Sequence, residues 1–298
     1  MKRLLFGLVV AIVYPLSLLP FAVLYLLSDF FFVLVYYVVR YRRKIVSDNL
    51  RNAFPDMSDK EREKVARQFY HNLCDIIVED IKFITISPEE VKKRLSVINI
   101  EAINKLYDQG RSAMTTLGHC GNWEMAGLAA SYEVKHHSIA IYRPLNNPYF
   151  DKFMKNIRAR FGMELVAHNK SRQILSQLDK KTNLYHFITD QTPTKVETAY
   201  WTNFLNQNTP IYLGAEKVAM MTNMPVFFLK ILRIKRGYYS LEIQEVTRDP
   251  SHCKPYEITE IHTRLLEENI RAQPDNWLWS HRRWKKQRPL QPVNAPAA

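Results

Sequence analysis

The residues best suited to chemistry lie in one short turn, residues 117–124, with the sequence LGHCGNWE. Residues 113–117 are apolar or β-branched and are followed by a glycine, a pattern typical of a buried strand. Asn122 is a favoured helix N-cap, so a helix is expected to begin at the next residue. His119 would then follow the carboxyl end of a strand, and Glu124 would lie in the first helical turn. From there a carboxylate can hydrogen-bond one imidazole nitrogen and leave the other free as a general base.

Spacing alone leaves a structural interpretation of this turn open. A glutamate in a first helical turn is favoured by the helix dipole whatever its function. A single histidine near a strand end is more often structural than catalytic. The complete pattern Gly-His-x-Gly-Asn-Trp-Glu is more specific, because it resembles the His-x4-Asp/Glu motif of the glycerolipid acyltransferase superfamily. Within that superfamily it is similar to the late acyltransferases of lipid A biosynthesis, the lauroyl/myristoyl transferase family.

Further motifs resemble the same family and occur in the same order. Residues 49–55 (NLRNAFP) precede the histidine, and residues 142–148 (YRPLNNP) and 190–193 (DQTP) follow it. A tryptophan-rich string, NIRAQPDNWLWSHRRWK, occupies residues 269–285. The resemblance therefore covers roughly residues 40–289, which is most of the chain.

Three polar residues follow three predicted strands. His119 follows the first, Arg143 follows a strand predicted at residues 138–142, and Asp190 follows one predicted at residues 184–189. Ligands of open α/β sheets bind beside the carboxyl ends of the strands, so these side chains are expected at one edge. In isolation Arg143 could be a surface arginine, and Asp190 could simply begin a turn.

The resemblance implies transfer of a fatty acyl chain, usually from acyl carrier protein, to a hydroxyl of an acylated glucosamine disaccharide, the lipid A precursor. We expect His119 to act as the general base and Glu124 to orient its imidazole. We expect Arg143 to hold the oxyanion or a substrate phosphate, and Asp190 to position Arg143 or the acceptor. The residues predicted to bind substrate are Arg143, Asp190, Asn122 and Gln191.

The composition of the first 44 residues predicts a membrane anchor with a basic flank. Residues 4–39 are almost continuously apolar, and about 20 such residues span a bilayer. Pro15 and Pro20 argue against one straight helix, so we expect a kinked helix, or a spanning helix with an interfacial one. The basic residues at 40–44 favour the cytoplasmic side. The chain is predicted to be single-pass or monotopic at the inner membrane of a Gram-negative bacterium, with its catalytic domain facing the cytoplasm.

Helices and strands alternate along residues 45–290, which predicts an α/β domain. The resemblance implies a mixed sheet flanked by helices, as in glycerolipid acyltransferases, with an N-terminal transmembrane helix. A capping-box pattern at Ser58 predicts a helix that runs to about residue 82. Another helix is predicted at residues 170–180, and residues 291–298 are expected to form a loose tail.

The 298 residues carry a formal net charge of +13, which suits nucleic acid, an anionic membrane or an acidic protein. No nucleic-acid-binding motif is recognisable, so acidic acyl carrier protein and the membrane are the predicted partners. Cys74, Cys120 and Cys253 have no spacing typical of a disulfide framework or zinc site. No metal or other cofactor is expected, and the Gly-x-Ser-x-Gly elbow of serine hydrolases is missing from the sequence.

Two interpretations remain open at this stage. Trp277, Trp279 and Trp284 lie among basic residues and could form an interfacial patch against phospholipid headgroups, or they could be core residues. The acceptor could also differ, since an acyltransferase acting on lysophospholipid or an amino-acid lipid would use the same chemistry. The family's Phe-Phe-Gly stretch is replaced here at residues 203–207, and the family commonly has an aromatic residue at the position of Cys120.

Overall fold

The computed structural model describes residues 2–168, 181–286 and 288, and within them a seven-stranded sheet carries helices on both faces. In chain order the strands are β1 (Leu95–Ile98), β2 (Ala113–Leu117), β3 (His137–Tyr142), β4 (Glu164–Ala167), β5 (Asn183–Ile188), β6 (Tyr200–Phe204), β7 (Gln207–Ile211), β8 (Val226–Lys235) and β9 (Tyr238–Thr247). β6 and β7 form a separate antiparallel hairpin, and the other strands make up the sheet.

The order of the sheet explains why one edge collects polar residues. Its strands run β1-β9-β8-β2-β5-β3-β4, and each described pair of neighbours is parallel except β8 and β9. β2 and β5 are neighbours, with Leu117 paired to Ile188 at their carboxyl ends. His119 and Asp190 each lie two residues beyond this last pair, so the register alone brings them side by side.

Helices cover both faces because the strands alternate apolar side chains between them. The helices are α1 (Lys2–Leu18), α2 (Phe21–Val33), α3 (Arg43–Ala53), α4 (Asp59–Lys82), α5 (Pro88–Arg94), α6 (Glu101–Asp108), α7 (Trp123–Glu133), α8 (Pro148–Arg158), α9 (Gly214–Thr222) and α10 (Glu257–Ala272). Ala113 and Leu117 of β2 pack in one cluster with α5, α6, α7 and α8. Met114, between them in the strand, packs in the other with α3, α9 and α10.

The predicted fold class, a mixed α/β sheet flanked by helices, is confirmed. The capping box at Ser58 is present, and the helix that it begins ends at Lys82 as predicted. The helices α3, α5 and α6, the strand β1 and the β6–β7 hairpin were not predicted from the sequence, and none of them has an element longer than 11 residues. The helix predicted at residues 170–180 and the tail at 291–298 lie outside the described residues.

Two helices, α1 and α2, make up the apolar amino-terminal stretch. Pro20 caps α2 and separates it from α1, whereas Pro15 lies inside α1 without ending it. A π-helical turn, Leu34–Val38, extends α2. The helix Phe21–Val38 is long and apolar enough to be a candidate membrane span.

Candidate active site

His119 and Asp190 meet at the carboxyl edge of the sheet, where β2 and β5 end. Nδ1 of His119 lies 2.6 Å from Oδ1 of Asp190, and the backbone N–H of His119 donates to Oδ2 over 2.8 Å. The Asp190 side chain is 3% exposed and the His119 side chain 12% exposed. Because the carboxylate engages Nδ1, Nε2 is the nitrogen left to exchange a proton with a substrate.

Two glycines allow the tight turn after β2. A Cβ on Gly118 would lie 2.5 Å from Cδ1 of Leu266 and 3.3 Å from Oδ2 of Asp190, so a side chain there would have to displace Leu266 beside the site. Gly121 has a φ of +52°, in the left-handed region that favours glycine. A Cβ on Gly121 would also lie 2.9 Å from Cγ2 of Ile231. The glycines that mark the turn in the sequence therefore have a steric reason.

Glu124 lies in the first turn of α7 as predicted, but its carboxylate does not hydrogen-bond the imidazole. It binds Arg158 of α8, with nitrogen–oxygen distances of 2.5 and 2.8 Å. The prediction that Glu124 supplies the hydrogen bond to His119 is wrong, because Asp190 occupies that position. A two-point guanidinium pair satisfies both oxygens of Glu124 at once. Glu124 nevertheless lies close enough for its charge to help raise the pKa of His119, an effect smaller than that of Asp190.

Asn122 caps α7 as predicted, and its amide is used entirely within the protein. Its Oδ1 accepts from the backbone N–H of Met125 over 2.8 Å. Its Nδ2 donates to Oε2 of Glu79 over 2.7 Å, and the residue is fully buried. The structure thus assigns Asn122 to a helix cap, which corrects the prediction that it binds substrate.

The other two predicted binding residues, Gln191 and Arg143, are exposed at the same edge of the sheet. Nε2 of Gln191 lies 3.5 Å from Nε2 of His119. Arg143 follows β3 and makes no hydrogen bond to any residue that the structure describes. Asp190 was predicted to position Arg143 or the acceptor. The first alternative is wrong, because the oxygens of Asp190 bind His119 and Trp277.

The tryptophan-rich string packs beneath this site instead of forming a surface patch. Trp277 is 2% exposed and Trp279 is fully buried, while Trp284 is partly buried against the same core. The indole N–H of Trp277 donates to Oδ2 of Asp190 over 2.8 Å. For Trp277 and Trp279 the interpretation as core residues is confirmed, and an interfacial patch formed by them is excluded.

The two partners of the pair shift one another's pKa in opposite directions. Burial alone would lower the pKa of His119, but the charge and hydrogen bond of Asp190 outweigh burial and raise it. Burial alone would raise the pKa of Asp190, but His119 and the indole of Trp277 lower it overall. Asp190 is therefore ionised near neutral pH, and the imidazole is held ready to take up a proton. Burial raises the pKa of the neighbouring Cys120 thiol well above its usual range, so Cys120 is not a thiolate nucleophile.

Sequence reasoning missed Arg158, Asp80 and Trp277 as members of this site. Arg158 ends α8, and no local spacing connects it with Glu124, 34 positions earlier. Burial and the charges of Glu124 and Glu79 raise the pKa of Asp80 well above its usual value. Trp277 was identified in the sequence as part of the tryptophan-rich string. The sequence did not show that its indole would bind Asp190.

The sequence is similar to known proteins along most of its length. A family model described as "Bacterial lipid A biosynthesis acyltransferase" matches residues 1–286. The lipid A biosynthesis palmitoleoyltransferase of Escherichia coli (strain K12) is 23% identical over 272 residues, which cover 90% of this chain and 86% of the relative. The lauroyltransferase of the same strain is 22% identical over 275 residues, covering 90% and 87%. Its myristoyltransferase is 24% identical over 153 residues, covering 50% and 46%.

Proposed function

Because this chain belongs to the bacterial lipid A biosynthesis acyltransferase family, we propose that it moves a fatty acyl chain from acyl carrier protein to a hydroxyl of a lipid A precursor. Its relatives are named as acyltransferases of lipid A biosynthesis, so it is an O-acyltransferase of that pathway. The observation that carries the chemistry is the His119–Asp190 pair, which fixes Nδ1 and leaves Nε2 free.

In the proposed reaction His119 is a general base. Neutral Nε2 takes the proton of the acceptor hydroxyl while that oxygen attacks the thioester carbonyl carbon. The new carbon–oxygen bond gives a tetrahedral oxyanion. As the oxyanion collapses, the carbon–sulfur bond breaks, and the imidazolium returns its proton to the leaving thiolate. No acyl-enzyme is needed, because the acceptor itself is the nucleophile.

Two carboxylates support this imidazole in different ways. Asp190 holds Nδ1 and stabilises the imidazolium that forms when Nε2 takes up the proton. Glu124 is fixed by Arg158 and acts through its charge without a hydrogen bond: it raises the pKa of His119 by more than the charge of Arg158 lowers it. We assign both carboxylates to the catalytic machinery. Asp190 orients the imidazole of His119, which is the role first predicted for Glu124.

Substrate contacts are assigned to the exposed side chains at this edge. Gln191 lies beside the free nitrogen of His119, where its amide can bind the acceptor hydroxyl. Arg143 is exposed and uncommitted among the described residues, so its guanidinium is available for the oxyanion or an acceptor phosphate. The net charge of +13 suits an acidic acyl carrier protein as the donor.

The contacts of α2 support attachment to one face of the membrane. Ser28 donates to Asp75 of α4 over 2.6 Å, and Tyr25 donates to Glu79, one helical turn further along α4. Arg236 pairs with Asp29, which lies near the middle of the candidate span and is 47% exposed. A spanning orientation would carry these charges to the bilayer centre, at about 2.5–3.5 kcal/mol each on insertion scales.

The opposite side of both helices offers a continuous apolar surface. Its most exposed members are Leu4, Leu5, Leu8, Leu18, Leu26, Phe30 and Val38. Phe6 of α1 packs against the aromatic rings of α8, so α1 also lies along the domain. Both helices are apolar around most of their circumference, and the few polar groups of α2 face the domain and not the bilayer. We therefore favour a monotopic enzyme on the cytoplasmic face of the inner membrane.

Accessible cysteines distinguish the two membrane arrangements. Arg3→Cys would be introduced into full-length chain carrying Cys253→Ser, since Cys253 is partly exposed and Cys74 and Cys120 are buried. In intact cells a membrane-impermeant maleimide should leave Arg3→Cys unlabelled and should label it after lysis. Labelling in intact cells would show that the amino terminus reaches the periplasm and that α2 spans the bilayer.

The activity is tested with purified protein, tetra-acylated lipid A precursor and acyl carrier proteins that bear different chains. Transfer of one chain to the precursor is expected, and His119→Ala should abolish most of it. Transfer to lysophospholipid or an amino-acid lipid, with none to the precursor, would overturn the proposed acceptor. Transfer from acyl-coenzyme A alone would overturn the proposed donor.

A further inference from the structure

The backbone of the tryptophan-rich string pairs directly with the turn that carries His119. Cys120 and Trp277 form an antiparallel β-bridge. The N–H of Gly121 donates to the carbonyl of Asn276 over 2.8 Å, and the N–H of Leu278 donates to the carbonyl of His119 over 3.1 Å. The turn is thus held from both sides by residues more than 150 positions away in the chain.

The side chain of Trp277 acts on the same site through Asp190. Oδ2 of Asp190 accepts two hydrogen bonds of 2.8 Å, one from the backbone of His119 and one from the indole of Trp277. Oδ1 is left for Nδ1 of the imidazole. Two donors on one oxygen fix the plane of a carboxylate, so the indole helps to hold the other oxygen toward Nδ1 of His119.

The string is itself anchored where it leaves the site. Nδ2 of Asn49 in α3 donates to the carbonyl of Trp279 over 2.8 Å and to that of His281 over 3.1 Å. Nδ2 of Asn72 in α4 donates to the carbonyl of Asp275 over 3.1 Å. Both asparagines are buried, and they hold the string at either side of Trp277. An indole on so fixed a backbone can set the position of another buried group.

We propose that Trp277 is a positioning residue of the reaction, whose indole N–H orients the Asp190 carboxylate so that it holds His119 by Nδ1. This inference rests on the proposed general-base function of His119. It gives the string a role that packing alone does not require, because phenylalanine would fill most of the same space. Trp277 does not touch the substrate or the reacting nitrogen, so its effect passes through Asp190.

The test compares Trp277→Phe with Trp279→Phe in the full-length enzyme. The two rings pack 4.7 Å apart, but the indole of Trp279 donates to the carbonyl of Pro274 and not to a site residue. Each variant loses a buried indole N–H, and Trp277→Phe should destabilise the fold more, because its lost acceptor is charged. Both variants are therefore assayed at temperatures well below their unfolding transitions. Trp277→Phe should lower kcat about 10- to 100-fold with KM unchanged, the worth of one hydrogen bond to a charged group. Trp279→Phe should change kcat less than about twofold under conditions in which it is folded, because it leaves that charged group untouched.

Two further measurements separate positioning from general stabilisation. In an Asp190→Ala background, Trp277→Phe should have no additional effect on kcat, because the side chain that its indole orients is already removed. Nitrogen-15 NMR of the His119 ring should show a higher pKa in Trp277→Phe, since Asp190 loses a neutralising donor. Equal kcat for Trp277→Phe and Trp279→Phe, or additive effects with Asp190→Ala, would overturn the inference. If the wild type itself transferred no acyl chain, the proposed function would fail, and an unshifted ring titration would separately overturn the role of Trp277.

Discussion

Replacing Asp190 with asparagine should disable the enzyme by trapping the wrong imidazole tautomer. Three N–H donors converge on the carboxylate: two from His119 and one from Trp277. An asparagine has one accepting oxygen, and the position of Oδ2 serves two of these donors, so the oxygen is favoured there. The amide NH2 then faces Nδ1, which must accept and so carries no proton. The proton moves to Nε2, where it prevents removal of the acceptor proton.

The size of the loss follows from the bonds removed. In the variant the reactive tautomer, protonated at Nδ1, has no acceptor for that proton. It forgoes a hydrogen bond to a charged group, about 1.5–3 kcal/mol, and leaves a buried donor unpaired, about 1–3 kcal/mol more. At 1.36 kcal/mol for each factor of ten, these sum to a fall in kcat of about 10²- to 10⁴-fold. The pH profile should also change. Asp190 raises the pKa of His119, so without that charge the limb on which activity rises with pH should move to lower pH.

The assay is single-turnover acyl transfer by purified protein between pH 5 and 9, in steps of roughly half a unit across the range in which histidines titrate. Asp108→Asn is the matched control, because Asp108 is an exposed carboxylate paired with Lys135 away from the site. Circular dichroism and thermal unfolding would confirm that both variants are folded. An Asp190→Asn enzyme with undiminished activity, or with an unshifted acidic limb, would refute the reasoning.

Three further outcomes are expected. Glu124→Gln should lower kcat about tenfold, less than Asp190→Asn, because its charge acts on the imidazole without a hydrogen bond; an equal or larger loss would assign it the main role. Asn122→Ala should lower the free energy of unfolding by about 1–3 kcal/mol through loss of the cap and of a donor to a buried carboxylate, with KM unchanged. A raised KM at full stability would restore the predicted substrate contact. Leu26→Glu with Phe30→Glu, at residues 70% and 63% exposed, should release the enzyme from vesicles of anionic phospholipid, whereas Met221→Glu on α9, at 71% exposure, should not.

The local features of the site could be predicted from the sequence alone. The strand before His119, the glycine turn and the cap at Asn122 each depend on residues within a few positions, where turn and capping rules apply. The carboxylate that binds His119 could not be identified from residues nearby in the sequence. It depends on β2 and β5 being neighbours in the register that pairs Leu117 with Ile188. Spacing along the sequence favoured Glu124, but the carboxylate of Glu124 pairs with Arg158 from a later helix.

The residues that the sequence assigned wrongly or left open share a physical cause. Asn122 can cap a helix or bind a ligand with the same amide, and only its burial against Glu79 decides between the two. Trp277 and Trp279 have an amphipathic side chain that suits a membrane interface as well as a buried hydrogen bond. In each case the side-chain chemistry was identified correctly, while the partner came from a distant part of the chain.

The most direct test of His119 as the general base is the pH dependence of single-turnover acyl transfer by the wild type and His119→Ala. The wild-type rate should rise with pH through a pKa above that of a free histidine, because Asp190 raises it. The His119→Ala rate should be about 10²- to 10⁴-fold lower and should lack this limb. A wild-type rate that is independent of pH in this range, or a His119→Ala enzyme that keeps the same limb and rate, would contradict the assignment.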